Sequence, residues 1–136
     1  MSEGAGGEAK PQQEPRRVLI LDDDEATRLL LRETIGGLSV PCKIHETHDG
    51  NAAIELARRE RPDLALVDIV LPGSSASGVL VCRELCRDPR TKVVVVSGQA
   101  SESVIQAALA AGAVAYVRKP FSVDDLRAKL AGWLGG

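Results

Sequence analysis

VLILDDDEATR, residues 18–28, joins an unbroken apolar run to a block of carboxylates and then to a helical pattern. Unbroken apolar runs are typical of strands that are buried on both faces. Carboxylates packed at the end of such a strand repel one another unless a cation lies between them or each has its own donor. The stretch therefore predicts a buried strand that ends in a polar site.

The composition predicts a soluble protein with one folded domain. The chain has 136 residues, of which 44% are hydrophobic and 26% charged, so it can bury a core. Its formal net charge of -2 gives no general attraction to nucleic acid or to an anionic membrane. No apolar run approaches the length of a membrane span, and no signal-peptide pattern opens the chain. We expect a cytoplasmic location.

The three cysteines, Cys42, Cys82 and Cys86, are an odd number and form no CxxC pair. Cys82 and Cys86 are one helical turn apart, and His45 and His48 are the histidines that could join them in a metal site. The missing pairs favour the other interpretation, in which the thiols are small buried hydrophobes in a reducing compartment.

The chain divides into a polar tail and a region of alternating patterns. Residues 1–15 contain almost no large apolar side chain, so we expect a disordered tail there and a folded domain over 16–136. Strands are predicted at 18–21, 42–46, 64–68, 92–98 and 113–117, and the second of these alternates like an edge strand. Helices are predicted at 26–36, 51–59, 79–87, 103–111 and 123–134, the last with a capping box at Ser122 and Asp125. Continuously apolar strands between helices indicate a doubly wound α/β domain, with a parallel sheet covered by helices on both faces.

Polar residues follow the predicted strands at their carboxyl ends, where open parallel sheets bind ligands. They are Asp22 and Asp23, Asp68, Ser97 and Lys119. Three carboxylates suit a hard cation, Mg²⁺ before Mn²⁺. A lysine and a hydroxyl opposite such an ion suit a phosphoryl group, and a carboxylate between them could be its nucleophile.

The segments LILDDDEATRLLLR, PDLALVDIVLPG, VVVVSG and AYVRKPF, in this order, resemble the motifs of the response-regulator receiver domain over about residues 16–134. The resemblance implies the flavodoxin-like strand order 2-1-3-4-5. It also implies a role in two-component signalling or a phosphorelay. Asp68 would then take a phosphoryl group from a phosphohistidine on a sensor kinase or a histidine phosphotransfer protein. Asp22 and Asp23 would hold Mg²⁺, with an oxygen of Asp68 and the backbone carbonyl of Val70.

The resemblance implies further roles near the acceptor. Lys119 would contact the phosphoryl oxygens, Ser97 would reorient to hydrogen-bond them, and Tyr116 would be the switch aromatic. The ring of Tyr116 would move inward and change the face formed by helix four, strand five and helix five, to which a downstream protein would bind. Asp24 and Glu25 need no such role, because acidic side chains are favoured at a helix N-terminus.

The chain departs from the family pattern in the loop Pro72–Gly78, which carries about two extra small residues beside Asp68. This insertion leaves partner choice and loop rigidity open. Gln99 occupies a position that tunes the phosphoryl lifetime in the family. The remaining conspicuous residues have ordinary interpretations. Asp49 is expected to lie in a turn or to cap a helix, His48 to lie at the surface and Leu80 to be exposed, while Trp133 fits either a core or a partner face.

Two other functions stay open. A phosphohydrolase of the haloacid-dehalogenase type needs a second carboxylate two residues after the nucleophile, whereas Asp68 is followed by Ile69 and Val70. A pseudo-receiver would use the same surface for binding without phosphorylation. We therefore expect a signalling domain that catalyses only its own phosphorylation and dephosphorylation. The sequence leaves open whether it acts alone or in a larger regulator, and whether it dimerises through helices four and five.

Overall fold

The structure, a computed structural model, describes residues 14–74, 76–98 and 100–135. Five strands form one parallel sheet: β1 (Arg16–Leu21), β2 (Cys42–Thr47), β3 (Leu64–Val67), β4 (Lys92–Ser97) and β5 (Ala115–Arg118). Five helices connect and follow them: α1 (Glu25–Gly36), α2 (Gly50–Glu60), α3 (Gly78–Leu85), α4 (Glu102–Ala110) and α5 (Val123–Leu134). The strand order is β2-β1-β3-β4-β5, which confirms the predicted 2-1-3-4-5 topology and places β2 at an edge.

The core has two layers because successive strand residues point to opposite faces of the sheet. Leu19 and Leu21 of β1 pack in the cluster that includes side chains of α2, α3 and α4. Val18 and Ile20 pack in the other cluster, with side chains of α1 and α5. All four are buried, so unbroken hydrophobicity in this strand reflects helices on both faces.

The predicted elements are all present, and their bounds shift by up to two residues. The largest shifts, of two residues each, lie in three elements: β1 begins at Arg16 and not at residue 18, α3 ends at Leu85 and not at Arg87, and β5 begins at Ala115 and not at residue 113. The shift of β5 has a visible cause, since the backbone N–H of Ala113 still donates to the Ala108 carbonyl of α4 at 3.1 Å. Ser122 caps α5 as predicted, with its hydroxyl accepting from the Asp125 backbone N–H at 3.2 Å.

The bulk of the tail assigned to residues 1–15 lies outside the described residues, so its disorder stays a prediction. Within the described ranges, no helix combines the length and the apolar character needed to cross a membrane. The three cysteines have free thiols, and burial raises the pKa of Cys82 to about 12.

Candidate functional site

The sheet brings the predicted polar residues together at the carboxyl ends of its strands. Asp22 directly follows β1, Asp68 directly follows β3, Ser97 is the last residue of β4, and Lys119 directly follows β5. Because these four strands are consecutive neighbours in the sheet, their ends meet along one edge. Four segments far apart in the sequence therefore build one site.

Three carboxylates form the acidic part of this site. Asp22, Asp23 and Asp68 each offer an oxygen within 4.8 Å of the others. Asp22 is 1% exposed and Asp68 6% exposed, whereas Asp23 lies open to solvent. Among the described residues this is the one group of three or more side chains placed to share a metal ion, and no cysteine or histidine belongs to it. Hard oxygen donors, one of them solvent-accessible, suit Mg²⁺ with part of its water shell retained.

Lys119 supplies a positive charge between the two buried carboxylates. Its Nζ lies 2.8 Å from Asp22 Oδ2 and 3.0 Å from Asp68 Oδ2. Burial by itself would lower the pKa of Lys119, but the hydrogen bonds to both aspartates outweigh burial and raise it. The lysine is therefore a fixed cation. Burial also raises the pKa of Asp22, against the opposing effect of Lys119.

Asp68 is oriented through its other oxygen. Oδ1 accepts a hydrogen bond from Ser97 Oγ at 2.9 Å and another from the Val70 backbone N–H at 2.9 Å. Ser97 is completely buried, so its hydroxyl is committed to this contact. With Oδ2 against Lys119, the carboxylate of Asp68 is held from two sides.

Tyr116 joins the site through the backbone of Ser97. Its hydroxyl donates to the Ser97 carbonyl at 3.0 Å, and the same carbonyl accepts from the Lys119 backbone N–H at 3.1 Å. The half-buried ring packs against the core cluster on the α2–α4 face of the sheet. The Lys119–Pro120 peptide bond is cis. Ser97 thus contacts Asp68 through its side chain and Tyr116 through its backbone.

The residues next to the acidic cluster have structural contacts. Asp24 is the N-cap residue of α1 and accepts a hydrogen bond from Thr27 Oγ1 at 2.7 Å, which lowers the pKa of Asp24. Glu25 lies in the first turn of that helix, where negative charge favours the helix dipole. Asp49 caps α2 as expected, accepting from the Ala52 backbone N–H at 3.1 Å.

Other predictions made from the sequence can also be compared with the structure. Leu80 is 39% exposed, as expected, and His48 lies at the surface. Trp133 is half-buried against the core cluster beneath α1 and α5. Gln99 lies outside the described residues.

The unusual loop between β3 and α3 is tied to a neighbouring helix. Ser74 Oγ accepts from the Gly50 backbone N–H at 2.8 Å, at the start of α2, and from the Ala76 backbone N–H at 3.3 Å. Ala76 is buried in the core cluster on that face. A serine of the inserted segment therefore satisfies a backbone donor that α2 leaves free at its first turn.

The sequence reasoning missed Arg28. Its guanidinium donates to the Asp22 backbone carbonyl at 2.7 Å and to Glu46 Oε1 at 3.0 Å. Arg32, one turn further along α1, also contacts Glu46. The sequence signal was the position of Arg28, which stands one turn into the helix after the acidic cluster and can fold back toward it.

The fold and this site define the chain as a receiver domain. The family model of the response regulator receiver domain matches residues 18–131, so the chain belongs to this family of two-component signalling domains. It is similar to the transcriptional regulatory protein PdtaR of Mycobacterium tuberculosis (strain CDC 1551 / Oshkosh), with 34% identity over 114 residues. That match covers 82% of this chain and 53% of the relative, so the chain spans about half the length of this curated relative.

Solved structures agree with this assignment. A CheY-like response regulator receiver domain protein from Methanospirillum hungatei JF-1 is similar at 28% identity and a TM-score of 0.79. The match covers 90% of this chain and 95% of that one. The signal receiver domain of a NarL response regulator from Mycobacterium tuberculosis is similar at 27% identity and a TM-score of 0.76, covering 91% of this chain and 99% of that one.

Proposed function

We propose that Asp68 accepts a phosphoryl group from a phosphohistidine of a sensor kinase or phosphotransfer protein, in a Mg²⁺-dependent reaction. The observation that carries this is the carboxylate of Asp68, 6% exposed and held between Ser97 Oγ at 2.9 Å and Lys119 Nζ at 3.0 Å. A hydroxyl and an ammonium group on the two oxygens of one carboxylate are suited to hydrogen-bond a phosphoryl group formed there and to offset its charge.

The transfer exchanges one bond to phosphorus for another. An oxygen of Asp68 forms the P–O bond as the P–N bond to the donor imidazole breaks, and the imidazole leaves with the electron pair. Lys119 Nζ, which contacts both Asp22 and Asp68, would then contact the phosphoryl oxygens and offset their negative charge. Asp22 and Asp23, with Asp68 and the Val70 carbonyl, would hold Mg²⁺, which when bound offsets the negative charge of the phosphoryl oxygens.

The donor would approach across the exposed apolar residues beside the site. Leu29 and Leu30 of α1 are 45% and 38% exposed, and Val70, two residues after Asp68, is 38% exposed. Leu30 lines a surface cavity together with Lys119 and Phe121. Apolar residues around a polar site fit a docking partner that carries the phosphohistidine to Asp68.

The output would pass from Ser97 to Tyr116. Phosphorylation changes the charge that Ser97 Oγ contacts, and the Ser97 carbonyl accepts from the Tyr116 hydroxyl. A shift of Ser97 therefore changes the position of Tyr116 and the surface of α4, β5 and α5, where a downstream protein would bind. The net charge of -2 favours a protein target over nucleic acid.

We infer that the chain does not turn over external phosphorylated substrates. The dehalogenase-type reaction needs a carboxylate two residues after the nucleophile. In this chain that residue is Val70, whose side chain is apolar and exposed. The contacts of Asp68 with Ser97 and Lys119, and of Lys119 with Asp22, also disfavour a phosphorylation-independent pseudo-receiver.

The test is the intact mass of the protein after incubation with a small acyl phosphate and Mg²⁺. We expect a gain of one phosphoryl group in the wild type and in Asp88→Asn, a matched change in the turn before β4 at the opposite end of the sheet. We expect no gain in Asp68→Asn or with EDTA. An unlabelled wild type, under conditions that label another receiver domain, would favour the pseudo-receiver. Labelling of Asp68→Asn would move the acceptor to another residue.

A further inference from the structure

Arg28 of α1 contacts the site from outside the predicted set of functional residues. Its Nη1 donates to the Asp22 backbone carbonyl at 2.7 Å, and its Nε donates to Glu46 Oε1 at 3.0 Å. The side chain is 16% exposed. One guanidinium therefore connects the end of β1 to the edge strand β2.

The contact fixes the segment of chain that presents the acidic residues. Strand β1 ends at Leu21, so the carbonyl of Asp22 lies beyond the ordered strand. The Asp22 backbone N–H donates to the Thr47 carbonyl at 3.2 Å, and the Asp22 carbonyl accepts from Arg28. Because both backbone polar groups of Asp22 are bonded, the peptide plane between Asp22 and Asp23 has a defined orientation.

That orientation sets the direction in which both carboxylates leave the main chain. Asp22 is further held by its own side chain, which accepts from the Asp24 backbone N–H and from Lys119. The side chain of Asp23 is exposed, and the hydrogen bond of Lys119 goes to Asp22 and not to Asp23. The orientation of the Asp23 carboxylate therefore depends more on the position of its backbone. Groups that orient ligands through a second layer of hydrogen bonds commonly change metal affinity about 10–100-fold when they are removed.

We propose that Arg28 is a positioning residue that pre-organises Asp22 and Asp23 for a divalent cation. The inference rests on the proposed function, since it takes these carboxylates as the Mg²⁺ ligands. Charge alone predicts the opposite result: removing a nearby cation strengthens the attraction between a carboxylate cluster and Mg²⁺. Pre-organisation and bulk electrostatics therefore predict changes in affinity of opposite sign.

Arg32 provides a matched control. It lies one turn further along the same helix and contacts the same Glu46, but its hydrogen bond does not extend to Asp22. Arg32→Gln and Arg28→Gln remove the same formal charge and each removes one arginine from Glu46. The two variants differ in the bond to the Asp22 carbonyl.

The experiment is a Mg²⁺ titration by isothermal calorimetry on the wild type, Arg28→Gln, Arg32→Gln and Arg28→Lys, at a temperature where circular dichroism shows all four to be folded. We expect Arg28→Gln to bind Mg²⁺ about tenfold more weakly, and Arg32→Gln to stay within about twofold of the wild type. Arg28→Lys keeps the charge but lacks the fork that reaches two acceptors, so we expect it to stay at least about threefold weaker than the wild type.

Three results would overturn the assignment. An unchanged affinity in Arg28→Gln would remove the positioning role, and so would tighter binding in both glutamine variants. Equal weakening in both would assign the effect to Glu46 and not to the Asp22 carbonyl. If the wild type bound no Mg²⁺, the proposed function itself would be overturned. If the wild type and Arg28→Gln bound Mg²⁺ equally well, only this inference would be overturned.

Discussion

At the scale of single residues, Asp22 shows how one buried carboxylate is supported by distant parts of the chain. Its side chain contacts Lys119, 97 positions away, and its carbonyl contacts Arg28 on the following helix. An unpaired charge with 1% exposure would be costly, so these partners are a condition for placing an aspartate there. The same buried contacts make the site responsive to a change of charge.

Gly78 must lack a side chain, because backbone atoms occupy the space beside it. A Cβ at this position would lie 2.3 Å from Ile69 Cα and 2.4 Å from the Ile69 carbonyl oxygen, directly after Asp68. We expect Gly78→Ala to lower the free energy of unfolding by about 3 kcal/mol or more, because rigid backbone and not a flexible side chain occupies the space.

Gly36 is the matched control for this substitution. It is the last residue of α1, and a Cβ there would meet no atom within 4 Å beyond its chain neighbours and the backbone of its own helix. We expect Gly36→Ala to raise the free energy of unfolding by about 0.4–1 kcal/mol, since alanine restricts the unfolded chain. Urea unfolding of both variants checks the pair, and equal stability changes would contradict the close contact at Gly78.

At the scale of elements, an ion-pair group ties α1 to the edge strand β2. Glu46 of β2 accepts from Arg28 and Arg32 of α1, and its side chain is 25% exposed. Burial alone would raise the pKa of Glu46, but the hydrogen bonds to the two arginines outweigh burial and lower it. An edge strand with one hydrogen-bonded neighbour, β1, gains a second attachment in this way.

This lowered pKa predicts a pH dependence of stability. Because the pKa of Glu46 is lower in the folded protein than its ordinary value of 4.5, the contribution of the ionised group is fully present above 4.5. It is lost as the pH falls through the folded value. At pH 7 we expect the free energy of unfolding of the wild type to be about 1 kcal/mol larger than that of Glu46→Gln. We expect this difference to shrink below pH 4.5.

Denaturant unfolding at several pH values measures this difference. Glu33→Gln removes an exposed glutamate from the same helix and should match the wild type across the range. A difference between wild type and Glu46→Gln that stays constant down to pH 3 would contradict the ion-pair explanation.

At the scale of the whole molecule, two core layers hold a sheet whose carboxyl ends all face one edge. Strand residues alternate between the two layers, while the polar site begins where the apolar strands end. Any cation that binds the site only in the folded state must therefore stabilise the whole domain, because Asp22 and Asp68 come together only on folding.

This linkage predicts a Mg²⁺-dependent melting temperature. We expect unfolding to cost about 1.4 kcal/mol more at a Mg²⁺ concentration ten times the dissociation constant, which raises the melting temperature by a few degrees. Differential scanning calorimetry checks it, with NaCl at the same ionic strength as the control. Asp23→Asn should lose most of the shift and Asp88→Asn should keep it, so an equal shift in both variants would place the ion elsewhere.

The sequence alone determined the class of fold and the candidate acceptor. Unbroken apolar strands, one alternating edge strand and helices between them left few arrangements, and the motifs around Asp22, Asp68, Ser97 and Lys119 carried the resemblance to receiver domains. These features are readable because hydrophobic periodicity and strand-end residues are local properties of the chain.

How the residues of the site support one another is known only from their packing in the fold. The bond from Arg28 to the Asp22 carbonyl, the tie from Ser74 to the start of α2 and the contact of Tyr116 with the Ser97 carbonyl join segments between 6 and 24 positions apart. Apart from the position of Arg28 one turn after the acidic cluster, no local pattern indicates these contacts, because they depend on which groups the fold brings within reach of one another. Burial removes these polar groups from water, so each must form its hydrogen bonds with whichever groups lie beside it in the folded protein.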